Sequence, residues 1–455
     1  MKKNSTVMLS AMMFLQFFVW GAWFSTLGAA LAANDLASII GAAYGKGPIA
    51  AILAPLFLGL VADRFFNSEK AMGVLHLVGG VLLFMAPGLI EKGDGATLVW
   101  IILGHMLCYM PTLGLSNTVA FSNIDDRNKF PALRVWGTIG WIAAGLIVGG
   151  LGWTTSPKIF TLAAVSALVL GVLCFFLPAT PPPAKGQPID MKALLMVDAF
   201  KMLGNVPFLV FITCSTLICI PLAYYYAFTS NYLTHIGFKA AGSTMTLGQM
   251  SEILFMLLIP FFYRRLGVKN MILVGMLAWV IRYALFSVGA PAQSVSMILI
   301  AVILHGICYD FFFVTGFMYT DNKAPKQVRG QAQSMLVFFT QGIGMYFGFA
   351  IAGKKFGETM TSAGAYTEAM PVTEPFTFWG SFGKMFTVEK PAFDAKLVSD
   401  TMAQWKEFWM YPCIMAAVIM VIFFAAFWER RELQFAGAEE AKPAADAKPS
   451  DAATE

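Results

Sequence analysis

The chain is built from apolar stretches of about twenty residues, one after another, with short polar gaps between them. Wound as a helix, a run of that length matches the hydrocarbon thickness of a bilayer. We read twelve such runs, at 7–31, 38–62, 71–90, 97–120, 131–152, 157–178, 206–233, 244–263, 269–289, 294–319, 328–352 and 407–428. They are too long for strands and lack the two-residue alternation of a half-buried strand. Composition agrees: 58% of the residues are hydrophobic and 13% charged, with a mean hydropathy of +0.68. A soluble domain carries about 25% charged residues. The expected fold is all-α and integral to the membrane, with twelve transmembrane helices.

The first run follows Lys2 and Lys3 and could pass for a secretion leader. It is too long for one and no small-residue cleavage site closes it, so it is read as a retained first helix. Lys and Arg gather in alternate gaps: Arg64 and Lys70, Arg127 and Lys129, Lys185, Lys192 and Lys201, Arg264, Arg265 and Lys269, then Lys323, Lys326 and Arg329. The other gaps hold mainly Lys92, Lys158 and Lys239. This bias predicts that both termini are cytoplasmic. The net charge of +5 thus reads as an orientation signal and not as affinity for nucleic acid.

Between the sixth and seventh runs lies ATPPPAKGQPIDMK, a proline-rich linker. It divides the chain into residues 1–178, a linker at 179–205, and residues 206–432. The two parts echo each other. HMLCY at 105–109 and HGICY at 305–309 share His, Cys and Tyr at an offset of 200, in matching helices. GLVADRFFNSEK (59–70) and FFYRRLGVKN (261–270) occupy matching gaps. Two six-helix pseudo-repeats of the same topology imply alternating access around a site at mid-membrane depth. Residues 354–406 are expected as an extended outer loop, and the Ala/Lys/Glu/Pro-rich tail at 433–455 as disordered.

The six cysteines lie within apolar runs without metal-ligand spacing, and read as small buried hydrophobes. With four histidines in the chain, a metal cluster is not expected, and no cofactor is. Nothing resembles a nucleophile–base or nucleotide-binding constellation, so an enzyme is not expected either.

Function is sought in the ionisable residues inside the runs, since a charge in hydrocarbon is costly. Five stand out: Lys46, Arg134, Glu252, Arg282 and Asp310. Asp310 is a credible proton carrier, neutral when closed off and ionised when exposed; its other reading is a salt bridge to Arg282. Gln249 and Glu252 are three apart and share a helix face. Together they can bracket the hydroxyls or ring nitrogens of a polar solute, or satisfy each other between helices. Arg134, Thr138 and Trp141 recur at i, i+4 and i+7 on one stripe, although Arg134 could equally be an orientation signal. Lys46 reads as a side chain snorkelling to the membrane surface. The first run carries Phe17, Phe18, Trp20, Trp23 and Phe24, of which one or two could stack on a planar ligand.

With these residues assembled, the chain resembles the major facilitator superfamily, through GLVADR at 59–64. More specifically, it resembles the nucleoside:proton symporter family of bacterial inner membranes. The stretches that carry this are FLQFFVWGAWFSTLG, YMPTLGLSNT, FPALRVWGTIG, QMSEILFMLLIPFF, GVKNMILVGMLAWVIRYALF and CYDFF. The resemblance implies proton-coupled uptake of a nucleoside, and the expected protein is a monomeric symporter. Substrate contacts would fall to Arg134, Thr138, Trp141, Gln249 and Glu252, joined by Tyr226, His305 and Tyr309, and proton coupling to Asp310 and Glu252. Departures from the family pattern stand at Ala223 and Tyr226 in the seventh run, at His305 and at Lys46. A sugar or another neutral polar solute is the alternative cargo, and a non-transporting receptor the remaining one.

Overall fold

The computed structural model describes residues 3–124, 130–371, 377–390 and 392–429. The tail expected to be disordered therefore lies outside the described residues, as do Arg127 and Lys129. The expected all-α fold is found. The first crossing, α1 (Lys3–Gly21), resumes as a short helix at Leu27–Ala32. It is followed by α2 (Ala37–Ala62), α3 (Ser68–Glu91), α4 (Gly95–Asn123), α5 (Phe130–Gly150) and α6 (Lys158–Cys174). After the linker comes α7 (Val206–Ile236), then a continuous helical stretch Ala241–Ala292 that turns back at Gly267 (φ 67°, ψ 176°), a backbone conformation glycine adopts without steric cost. We call its two arms α8 and α9. The chain ends with α10 (Val295–Lys323), α11 (Arg329–Thr359) and α12 (Ala395–Ala426). Nine helices among the described residues are long and apolar enough to cross a membrane; with the fold-back at Gly267 and the shorter apolar α1 and α6, they are consistent with twelve crossings.

Local irregularities have identifiable causes. The break in α1 is occupied by the Tyr44 hydroxyl, which donates to the Phe24 carbonyl (2.6 Å) and accepts from the Gly28 N–H (3.3 Å). It stands between the two groups that would otherwise pair in an unbroken α-helix. In α10 the turn Asp310–Val314 is a π-helix, a form that commonly marks functional positions. The cysteines behave as small hydrophobes: four are buried and two half-buried, all free.

The two halves meet at one end, the end carrying residues 360–371, 377–390 and 392–394, through backbones that approach closely. A Cβ added to Gly41 on α2 would sit 2.6 Å from the Phe349 carbonyl oxygen and 2.9 Å from Gly353 Cα on α11. Gly28 stands similarly against Ala227 of α7, and Gly149 of α5 against Ser243 of α8. The Gly242 N–H also donates to Thr154 (3.3 Å). At the opposite end, the linker ties to both halves: Arg64 donates to the carbonyls of Gln187 and Pro188, and Gln331 accepts from the Asp198 N–H.

The segment expected as an extended loop is largely structured. Helices α11 and α12 run on to Thr359 and back to Ala395, with short helices Ala363–Ala369 and Phe378–Lys384 between them. Residues 381–389 lie across the closed end. Ser381 donates to the Leu146 carbonyl of α5 (3.0 Å) and meets the Ser243 hydroxyl of α8. Thr244 donates to Met385 O (2.7 Å), and Phe238 pairs with Val388 as an isolated antiparallel bridge beside the Lys239–Glu389 ion pair. The segment thus touches both halves where they meet.

Candidate substrate site

Helix α5 is held tightly against α1 because Gly137 and Gly140 leave no side chain between them; a Cβ on Gly140 would meet the Phe14 backbone. That contact places the Arg134 guanidinium carbon 3.9 Å from the centre of the Phe17 ring. Arg134, Thr138 and Trp141 are each half-buried, so the predicted stripe keeps accessible surface and does not sit wholly in the core. Above them Trp141 packs edge-on to Trp20 (5.4 Å) and Phe24 (6.3 Å), and Trp20 contacts Tyr109 (5.6 Å).

Across the gap, α8 presents Gln249, which is mostly buried, and Glu252, which keeps 18% of its side chain exposed. Arg134 lies within electrostatic reach of both Glu252 and Tyr309 of the opposite half. Tyr226 and Tyr309 are half-buried. Tyr226 packs on Phe24 at 5.7 Å, an aromatic contact between halves that roofs the site on its closed side. Five of the candidate residues are thereby linked across the gap, Arg134 and Trp141 from one half and Tyr226, Glu252 and Tyr309 from the other; Thr138 and Gln249 lie one turn from Arg134 and Glu252 on the same helices.

His305 and Asp310 do not open onto that gap. His305 is 1% exposed and wedged behind Glu252, its Nε2 2.9 Å from Glu252 Oε1. Asp310 is fully buried, and neither carboxylate oxygen makes a hydrogen bond of good geometry among the described residues. It shares electrostatic reach with Glu252 and lies near the Met256 backbone. The alternative partner for Asp310, Arg282, is engaged elsewhere: its Nη1 donates to His305 Nδ1 (2.9 Å) and its guanidinium lies 3.4 Å from the Tyr225 ring centre. No Asp310–Arg282 ion pair is found among the described residues. Lys46 sits over the exposed Trp100 ring at 5.0 Å, away from the site and against the lipid-facing surface.

Sequence reasoning left open which aromatics of the first helix matter. Phe17, Trp20 and Phe24 are the ones that face α5 and α7, and their i, i+3, i+7 spacing is the signal that separates them from Phe18 and Trp23. Tyr225, whose ring supports Arg282, went unnoticed because an aromatic in an apolar run carries no distinguishing mark.

A polar site ringed by aromatics, at mid-depth between two six-helix halves, defines a secondary transporter of the major facilitator fold. The chain belongs to the nucleoside–proton symporter family: the family model described as "Nucleoside H+ symporter" matches residues 3–432. It is 37% identical over 439 residues to the putative nucleoside transporter YegT of Escherichia coli (strain K12), covering 94% of each chain. To the nucleoside permease NupG of the same organism it is 32% identical over 370 residues, 77% of this chain and 88% of that one. A crystal structure of a NupG variant superposes with a TM-score of 0.79 at 27% identity, covering 93% of this chain and all of that one.

Proposed function

We propose that the protein moves nucleosides together with protons across the bacterial inner membrane, by alternating access of its two halves to a single site. What supports this is the approach of Arg134 and Trp141 from one half to Glu252, Tyr226 and Tyr309 from the other, with Thr138 and Gln249 a turn away on the same helices. Hydroxyls and ring nitrogens need fixed donors and acceptors; a planar base needs a face to stack on. Arg134 and Thr138 supply donors, Glu252 acceptors, and Gln249 both, while Trp141 and Tyr226 supply the faces. Because the set comes from both halves, rocking them apart at one end dismantles the site toward one compartment only.

The site is complete within one chain, which favours a working monomer. The alternate Lys/Arg gaps support cytoplasmic termini; on that reading the closed end faces outward and this conformation opens inward. Asp310 carries the coupled proton: it is a buried carboxyl with no cation paired to it among the described residues, within electrostatic reach of Glu252. Release of the nucleoside inward and release of the proton then follow from the same opening.

The test is uptake of labelled uridine and adenosine into proteoliposomes under an imposed inward proton gradient, with nucleosides, bases and sugars as competitors. Gradient-driven accumulation blocked by nucleosides alone is expected. Blockage by sugars instead would discard the nucleoside as cargo, and no uptake would discard transport.

A further inference from the structure

Arg282 is fully buried, and no carboxylate pairs with it directly among the described residues. A buried cation without a directly paired carboxylate is expensive; among the described residues its hydrogen bond of good geometry is to His305, with Tyr225 and Cys308 beside it and Glu252 within electrostatic reach. Arginine only donates. His305 Nδ1 must therefore offer its lone pair at 2.9 Å, and the neutral ring carries its proton on Nε2. That nitrogen lies 2.9 Å from Glu252 Oε1, within ion-pair distance, with the oxygen off the line of the ring N–H.

The ring is not free to turn. It stacks on Tyr225 at 4.9 Å and 24°. Gly248 has no side chain where one would press on it: an added Cβ would sit 3.1 Å from His305 Cβ. The Gly306 N–H donates to Ser251 Oγ (3.0 Å), fixing the crossing of α8 and α10 beside the pair. The matching histidine in the other half shows that the repeat does not impose this arrangement. His105 Nδ1 faces the Gly79 carbonyl at 3.1 Å, and a carbonyl only accepts, so His105 carries its proton on Nδ1.

We propose that His305 is a positioning residue: locked by Arg282 with its proton on Nε2, it holds one oxygen of Glu252 and turns the other toward the nucleoside. The charge of Arg282 thereby reaches the site through an imidazole, polarising its N–H into a stronger donor. This inference rests on Glu252 being a ligand group, as proposed above.

Two measurements on the full-length protein test it. Nitrogen-15 NMR of histidine-labelled protein, with His305 assigned through the His305→Gln variant, should show a bare Nδ1 and a protonated Nε2. A proton on Nδ1 would overturn the inference whether or not the protein binds nucleosides. Uridine and adenosine affinities are then measured by calorimetry for wild type, His305→Leu, His305→Gln, Glu252→Gln and the double variant His305→Leu/Glu252→Gln. His305→Leu should weaken binding roughly tenfold, as expected for losing a hydrogen bond to a charged group. His305→Gln, whose amide offers one acceptor and one donor, should recover most of that loss. On top of Glu252→Gln, the leucine should add almost nothing. An equal loss in both backgrounds would mean that His305 acts on the ligand itself and would overturn the inference, as would no loss in either. Absence of nucleoside binding by wild type would instead sink the proposed function, with the NMR result still deciding the Arg282–His305 lock.

Discussion

Substituting Gly41 by alanine should shift the transporter toward its other conformation without unfolding it. In the present state an added Cβ would lie 2.6 Å from the Phe349 carbonyl oxygen and 2.9 Å from Gly353 Cα. Both are backbone atoms, so no side chain can rotate away to relieve the overlap. Overpacking of this kind costs about 1–3 kcal/mol. Alanine also favours the helix by about 1 kcal/mol over glycine, but that gain is the same in both conformations and cancels from their ratio. The clash does not cancel, because α2 and α11 separate when this end opens. The closed-to-open ratio should therefore fall by roughly 5- to 150-fold. Spin labels at the exposed positions Lys92 and Ala292, one on each half at this end, would report the change as a longer distance in electron–electron double resonance. Gly88→Ala is the control, since a Cβ there meets nothing within 4 Å. If Gly41→Ala lowered the melting temperature but left the distance distribution as in wild type, this seam would not be the one that opens.

Three further outcomes are expected. Asp310→Asn should abolish accumulation against a gradient while leaving nucleoside counterflow, measured in the same vesicles; accumulation that survives would remove Asp310 from coupling. Phe17→Leu takes away the ring beneath Arg134, a cation–π contact worth about 0.5–2 kcal/mol, and should raise KM for uptake without lowering expression. An unchanged KM would show that the ring does not hold Arg134 in its working position. Cysteines at Gly150 and Ser381, where an added Cβ would stand 2.9 Å from Ser381 Cβ, should oxidise to a disulfide that ties residues 377–390 to α5. Transport should stop on oxidation and return on reduction; uptake unaffected by a formed bridge would show that this segment need not leave α5 during the cycle.

Much of this protein was legible in its sequence. Bilayer thickness sets the length of a spanning run, so apolar length marks the all-α membrane fold and most of its crossings. The spacing of Arg134, Thr138 and Trp141 marked one helix face, and the expense of Glu252 in hydrocarbon marked another. These signals are local, carried by a period or by a single costly residue. Pairing is not local. Asp310 and His305 sit five residues apart on α10, and either could meet Arg282. Which one does depends on how α9 and α10 rotate and cross, and that is decided by contacts such as Gly306 on Ser251 and the ring of Tyr225. The same holds for residues 354–406, whose composition suggested a loop but whose ends extend two spanning helices and whose residues 381–389 lie over the seam. Tertiary packing alone brought the two halves' polar stripes face to face, because depth and rotation along a helix axis shift a side chain by ångströms that no apolar run records.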